Sequence, residues 1–450
     1  MRLPRPLLLT LAAFGLALCL FASGAFYNSR TFTDRIYPRI DRFLSGLGSN
    51  QPEAVPTLAV TLADPPTFAV ETPTSIATPK GEDTASPLQT TQQPNNLTTQ
   101  SPTPEPTAVS VIYDLPASIT LEGARYEPQL YNNCGPATLT AALVYWGWRG
   151  SEPDELVWYA AGKDVRWQRD IASVIKPNKS DKNVMAYELA NYAIEQAGLS
   201  AEIRYGGDID VIKRFVANGF PVIIERGFRE EEHGQVGQGW EGHYGLITGY
   251  DDNARKFLTQ DSFKGANYWR DYDAEVKDWR DFNYLYIILY PGNRAAEVTA
   301  LLGPDADVGA NYNRALAKAQ ADAARHTDPL DLAFDWFNVG TSLQLLERNE
   351  DAALAFDQAR SYGILPYRML WYQTFMYKAY FYTERYQDVI DLANVTLQTP
   401  GMEESLYWRG WAYYQLGDLD RAVADMRAAL DAHPDWDQAL AALAQWGVSP

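Results

Sequence analysis

The soluble part of this chain carries one thiol, and its neighbours are those that activate a thiol. The sequence has two cysteines, Cys19 and Cys134. Cys19 lies inside an N-terminal apolar run, so no disulfide framework is available. Cys134 sits in Gln129-Leu-Tyr-Asn-Asn-Cys134-Gly-Pro-Ala-Thr-Leu-Thr-Ala-Ala-Leu143. The stretch after it has helical apolar periodicity, and Pro136 suits a first helical turn, where a missing N–H costs nothing. A thiol at a helix N-terminus feels a partial positive charge that favours thiolate. The same position leaves its backbone N–H free to face a substrate oxyanion. A buried structural cysteine would gain nothing there.

A nucleophilic thiol needs a base, and the base needs a group to orient it. Of four histidines, His326 and His433 fall in a helical region, where His433 ends a repeat and has a sufficient role against the helix dipole. His233, in Glu230-Glu-Glu-His-Gly234, reads as a surface residue of a polar loop. His243 opens the apolar run Tyr244-Gly-Leu-Ile-Thr-Gly-Tyr250, a strand. Asp251 to Arg255 reads as a turn, and Lys256 to Gln260 as the returning strand, closed by Asp261. A hairpin centred on Asp252 sets His243 directly opposite Asp261, near enough for the imidazole to donate to the carboxylate. A one-residue slip would break that pairing.

These segments together resemble the C39-like family of papain-fold cysteine peptidases, over roughly residues 116 to 290. The resemblance rests on the Asn-Cys-Gly-Pro-Ala helix start, the His243 strand with its Tyr-Asp-Asp turn, and Asp261. It implies an α+β papain-like domain. It implies Cys134 as nucleophile, His243 as proton carrier and Asp261 as the group that orients His243. It also implies a glutamine whose amide helps form the oxyanion hole. Gln129 stands five residues before the cysteine, one fewer than the usual papain arrangement. No metal and no cofactor are expected. Two other readings stay open: a thiol amidase or acyltransferase on the same fold, and a non-catalytic peptide-binding scaffold. The best-known C39 domains are fused to transporters, and this sequence holds no nucleotide-binding motif.

The surrounding elements divide the chain into four parts. Residues 1–30 form a membrane anchor or signal: Leu7 to Phe26 is an apolar run of 20 residues, enough to span the roughly 30 Å of a bilayer core. Ala22-Ser23-Gly24 offers a loose cleavage site, in which case the protein would be secreted. Arg30, Arg35, Arg39 and Arg42 outnumber Arg2 and Arg5 and argue against export, yet the stalk-like segment that follows favours extracytoplasmic domains. Residues 31–112 comprise a short amphipathic segment and a Pro/Thr-rich linker expected to be disordered. Residues 113–303 form the peptidase domain.

Residues 304–450 read as an all-α solenoid resembling tetratricopeptide repeats, expected to recruit a protein partner or substrate. Gly340, Tyr377 and Gly410 correspond, as do Ala352, Val389 and Ala422, at steps of 37 and 33 residues. The Trp and Tyr stripes here read as core. Formal charge over the 450 residues is −19, without a basic stripe, which sets nucleic-acid binding aside.

Overall fold

The computed structural model describes residues 54–57, 65–70, 111–150, 165–178, 181–229 and 239–450. The N-terminal apolar run, the amphipathic segment and His233 lie outside the described residues. No helix among the described residues is long and apolar enough to cross a membrane.

The first half is an antiparallel sheet with helices on both faces. Its strands are β1 (Ser118–Thr120), β2 (Ser200–Arg204), β3 (Val222–Phe228), β4 (Glu241–Asp251), β5 (Lys256–Asp261), β6 (Gly265–Asp271) and β7 (Tyr286–Tyr290). The spatial order is β2-β7-β3-β4-β5-β6. The long strand β4 pairs with β3 over residues 241–247 and with β1 over residues 249–251, so β1 continues the line of β3. The central strands β3 and β7 are buried along their whole length and apolar but for Glu225-Arg226 in β3. Such continuous apolar runs fit a sheet covered on both sides.

One cover is α1 (Cys134–Tyr145), with α2 (Arg166–Ile175) and α3 (Ala186–Glu195). Gly135 through Leu143 are all buried, so α1 is enclosed rather than amphipathic. It contributes Leu139 and Leu143 to a core shared with Ile223, Leu246 and Ile287. On the opposite face, α4 (Ile209–Ala217), α5 (Tyr272–Trp279) and α6 (Ala295–Leu302) cover Val222, Ile224, Ile247 and Ile288.

The second half is helical: α7 (Val308–Arg325), α8 (Pro329–Leu345), α9 (Asn349–Ser361), α10 (Met369–Tyr372), α11 (Phe375–Tyr382), α12 (Tyr386–Thr396), α13 (Glu403–Gln415), α14 (Leu419–Ala432) and α15 (Asp437–Gln445). Gly340 lets α8 approach α9: a Cβ there would lie 2.7 Å from the Phe356 ring. Gly410 does the same for α13 and α14, where the added atom would meet Met426 at 3.0 Å. Ala352, Val389 and Ala422 are fully buried at their corresponding places. The aromatic stripes pack as core, with Tyr377, Tyr380 and Trp411 almost wholly enclosed.

The halves are packed together. The Asn311 side chain bonds both backbone groups of Tyr205, and Ala315 fills the space beside Gly206. Trp240 stacks on Phe282 at 5.5 Å, with Tyr372 and Phe334 against it. Arg368 pairs with Glu241 at 2.7 Å.

The linker expectation needs correction at two places. Val55 is buried and its N–H donates to Leu365 O at 2.7 Å. Phe68 packs edge-on against Trp336 at 6.5 Å, and Gln320 and Arg348 bond the carbonyls of Phe68 and Ala69. Composition averaged over the stretch hides these two apolar side chains, each of which finds a site on the helical half.

Candidate active site

Cys134 is the first residue of α1, and Asn133 is its N-cap. The approach is a tight turn: Asn132 adopts φ +56°, and Asn133 N–H donates to Leu130 O at 3.1 Å. Lys176 Nζ holds that turn by donating to Asn132 O at 2.8 Å. Thr138 Oγ1, one turn into the helix, donates to Tyr244 O at 3.1 Å and pins α1 to the strand that carries His243. No group among the described residues accepts from the Cys134 N–H, the state an oxyanion site requires.

His243 is buried on β4, close enough to Cys134 for each to shift the other's charge. Its Nε2 lies 3.1 Å from Asp261 Oδ1, and Phe228 stacks on the ring at 4.9 Å. Asp261 Oδ1 also accepts from the N–H groups of Phe263 and Lys264 at 2.9 and 2.8 Å. Asp261 Oδ2 accepts from Arg226 Nη2 at 2.8 Å, and both side chains are buried. Arg226 is the register partner of His243 across β3 and β4. The carboxylate is therefore fixed by four donors and oriented from two strands.

The expected register is not the observed one. Asp251 pairs with Lys256 and Gly249 with Leu258; then Thr248 is extruded as a bulge, and Ile247 pairs with Thr259 and Leu246 with Gln260. The hairpin is thus centred beyond Asp252, because the Asp251 carboxylate caps a four-residue turn through the N–H groups of Asn253 and Ala254. One residue past Gln260, Asp261 falls opposite Gly245, diagonal to His243 and on its face. Diagonal positions are about 7–8 Å apart at Cα, a span these two side chains bridge. Without the bulge, Asp261 would stand opposite Leu246 and point to the other face.

The charges follow from this setting. Burial disfavours the imidazolium of His243, but the Asp261 charge and hydrogen bond and the Cys134 contact outweigh it, raising His243 to about 9. Burial likewise disfavours the Cys134 thiolate; the neighbouring His243 and the Tyr244 backbone, with help from the Lys176 charge, outweigh it and lower the thiol pKa. Asp261 pays a burial penalty that His243 and Arg226 overcome, holding it far below the usual carboxylate range. The proton the pair shares therefore rests on the imidazole rather than on the thiol. Burial raises the neighbouring carboxyl of Glu225 well above its ordinary value, so it adds no second full negative charge beside the sulfur.

Gln129 is tied to the same strand end by two bonds. Its N–H donates to Ser262 O at 3.0 Å, and its Oε1 accepts from Ser262 Oγ at 2.9 Å. Occupying the oxygen in this way leaves the amide NH₂ as the free edge. Glu127 and Gln168 brace the strand of chain that carries it.

Cys134, His243 and Asp261 are thus brought together, and Gln129 is joined to them through Ser262. His326 pairs with Asp335 at 2.6 Å, and His433 lies beside Glu403, so neither serves this site. Sequence reasoning missed Lys176, Arg226 and Ser262. The signal for Arg226 was present: Glu225-Arg226 interrupts an otherwise apolar strand.

Residues 121–287 match the model of the Peptidase_C39 like family. This match supports a C39-like cysteine peptidase domain of α+β architecture in that part of the chain. Among solved structures, a putative C39-like peptidase from Bacillus anthracis is similar at 16% identity, over 38% of this chain and 96% of that one, with a TM-score of 0.28. No curated protein matches the chain.

Proposed function

We propose that this chain is a cysteine peptidase in which Cys134, His243, Asp261 and Gln129 carry out peptide-bond hydrolysis. The observation that carries the reading is the chain of contacts from Cys134 through His243 and Asp261 to Arg226, with its proton held on His243. The Cys134 thiolate attacks the peptide carbonyl carbon. The Cys134 N–H and the Gln129 amide receive the developing oxyanion. With Nε2 facing Asp261, the other imidazole nitrogen gives its proton to the leaving amine, and a thioester remains. The same nitrogen then removes a proton from water. The hydroxide adds to the thioester, the second oxyanion collapses, and the acid product leaves with the thiolate restored beside an imidazolium.

The full chain, with Leu7 to Phe26 as a single membrane span, would hold these domains outside the cytoplasm. The helical half would act as a tetratricopeptide-type solenoid that recruits a protein partner or substrate; the matching small residues at Gly340, Gly410, Ala352 and Ala422 support that reading.

The test is the rate of Cys134 alkylation against pH on the full chain, followed by intact mass. Fast labelling below pH 7, slowed at least tenfold by His243→Ala, is the expected result. Labelling with the profile of an ordinary thiol of pKa about 8.5, indifferent to His243, would overturn it. Incubation with a mixed peptide library in heavy-oxygen water then separates hydrolysis from amide transfer, since only hydrolysis places the label in the new carboxyl group.

A further inference from the structure

We propose that Glu188, Glu403 and His433 form a binding site for a divalent transition-metal cation at the seam between the sheet half and the helical half. The three residues come from separate elements: Glu188 from α3, Glu403 from the first turn of α13, and His433 from the C-cap of α14. One ligand atom from each lies within 4.8 Å of the other two. His433 Nδ1 is 3.4 Å from Glu403 Oε1. That is long for a hydrogen bond, but it is close to the separation of two ligands held about 2.1 Å from one ion at a tetrahedral angle.

A second observation points the same way. Glu403 Oε2, Glu404 Oε1 and Asn183 Oδ1 are buried without a hydrogen-bond partner. Glu403, Glu404 and Asn183 are 1%, 7% and 3% exposed. The Asn183 amide sits on the cluster, donating to Glu404 Oε2 at 3.1 Å. Buried acceptors with nothing to accept from, one of them on the triad itself, mark a place short of positive charge, which a cation would supply.

The charge count agrees. Asp181, Glu188, Glu403 and Glu404 crowd together, and among the described residues Lys176, Lys182 and His433 face them with opposite charge. Four carboxylates against two ammonium groups leave the equivalent of two negative charges. An imidazole among carboxylates suits zinc or manganese better than calcium, which prefers an all-oxygen shell. The His433 side chain is 13% exposed and gives the ion a way in.

The test uses the full chain with Cys134→Ala, so that the active-site thiol takes no metal. After chelation and dialysis, Zn²⁺ or Mn²⁺ is added in turn, bound metal is counted by mass spectrometry after gel filtration, and Tm is recorded. One equivalent retained, with a Tm several degrees above the chelated protein, is expected. Glu403→Gln and His433→Gln should each abolish both effects. Metal held equally by both variants, or a chelated protein whose Tm ignores both ions, would overturn the proposal. So would a seam stabilised only by acid, with Tm rising as the carboxyls protonate and no response to metal. If either variant fails to fold, the reversible loss and return of one equivalent and of Tm on the parent decides the matter.

Discussion

At the scale of single residues, the site is governed by where one proton sits. His243 is raised to about 9 because the Asp261 carboxylate faces its Nε2. Hydrolysis should therefore climb on the acid side as the lowered Cys134 thiol ionises, and decline as His243 loses its proton near pH 9. Asp261→Asn removes the charge that holds the imidazolium. The alkaline limb should then move to lower pH and kcat should fall by about 10²–10⁴, the usual worth of a positioned proton carrier; a pH–rate profile of the variant checks both. Stability follows with definite signs. The His243 contribution is complete below its unfolded pKa of about 6.5 and is lost as pH rises toward 9. The Asp261 contribution is present above about 4 and is lost as pH falls. Melting curves across pH should show both slopes in the parent and neither in Asp261→Asn. Ser262→Ala should lower kcat, by less than the 10²–10³ expected for losing an oxyanion donor outright, because Gln129 remains but its oxygen is released. The alkylation profile of Cys134 should not change in Ser262→Ala, which separates amide positioning from thiolate formation.

At the scale of elements, the hairpin of β4 and β5 decides whether the triad exists. Cys134, His243 and Asp261 could be picked out as a group because each reads as a local boundary in the sequence: a helix start, a strand start and a strand end. The hairpin argument placed His243 and Asp261 on one face for the wrong reason. The pair is diagonal, and the shared face depends on one extruded residue, Thr248. A single extra residue in a strand leaves no mark on an apolar alternation already blurred by burial on both faces, so no reading of periodicity would have found it. Lys176 was hidden for a different reason, since it reaches the Cys134 turn across the fold, and the bond of Ser262 to Gln129 likewise spans distant parts of the chain. Deleting Thr248 should leave a folded sheet with Asp261 turned from His243, and Cys134 labelling should lose its dependence on His243. Gly249→Val tests the same corner by packing. Its Cβ would lie 2.6 Å from Ile119 O, so β1 must give way, at a cost of about 1–3 kcal/mol in chemical denaturation.

At the scale of the whole molecule, the helical half is part of the wall behind the site. Tyr372 lies against Gly242, next to His243, where a Cβ would meet its ring at 3.0 Å. Gln373 Nε2 donates to Asp281 O at 2.9 Å, and Asp281 also anchors Trp240 and Arg229. A chain cut after residue 303 would expose Trp240 and Phe282, a contiguous aromatic patch of the kind that drives association. Such a fragment should sediment as aggregates or show a markedly lower Tm, and should lose rapid Cys134 labelling. His433 shows why this contact was invisible in the sequence. It was read as a helix-end histidine, and it is one, yet its partner Glu403 belongs to another helix and Glu188 to the other half.

Val55 and Phe68 have a practical corollary for anyone preparing the protein. Trimming the N-terminus at about residue 110, where composition changes, looks like removal of inert string. It would instead strip a backbone partner from Leu365 and an aromatic lid from Trp336. The trimmed molecule would present fresh greasy sockets on its helical flank, and any stickiness it showed there would be a wound left by the cut, easily mistaken for appetite for a natural partner.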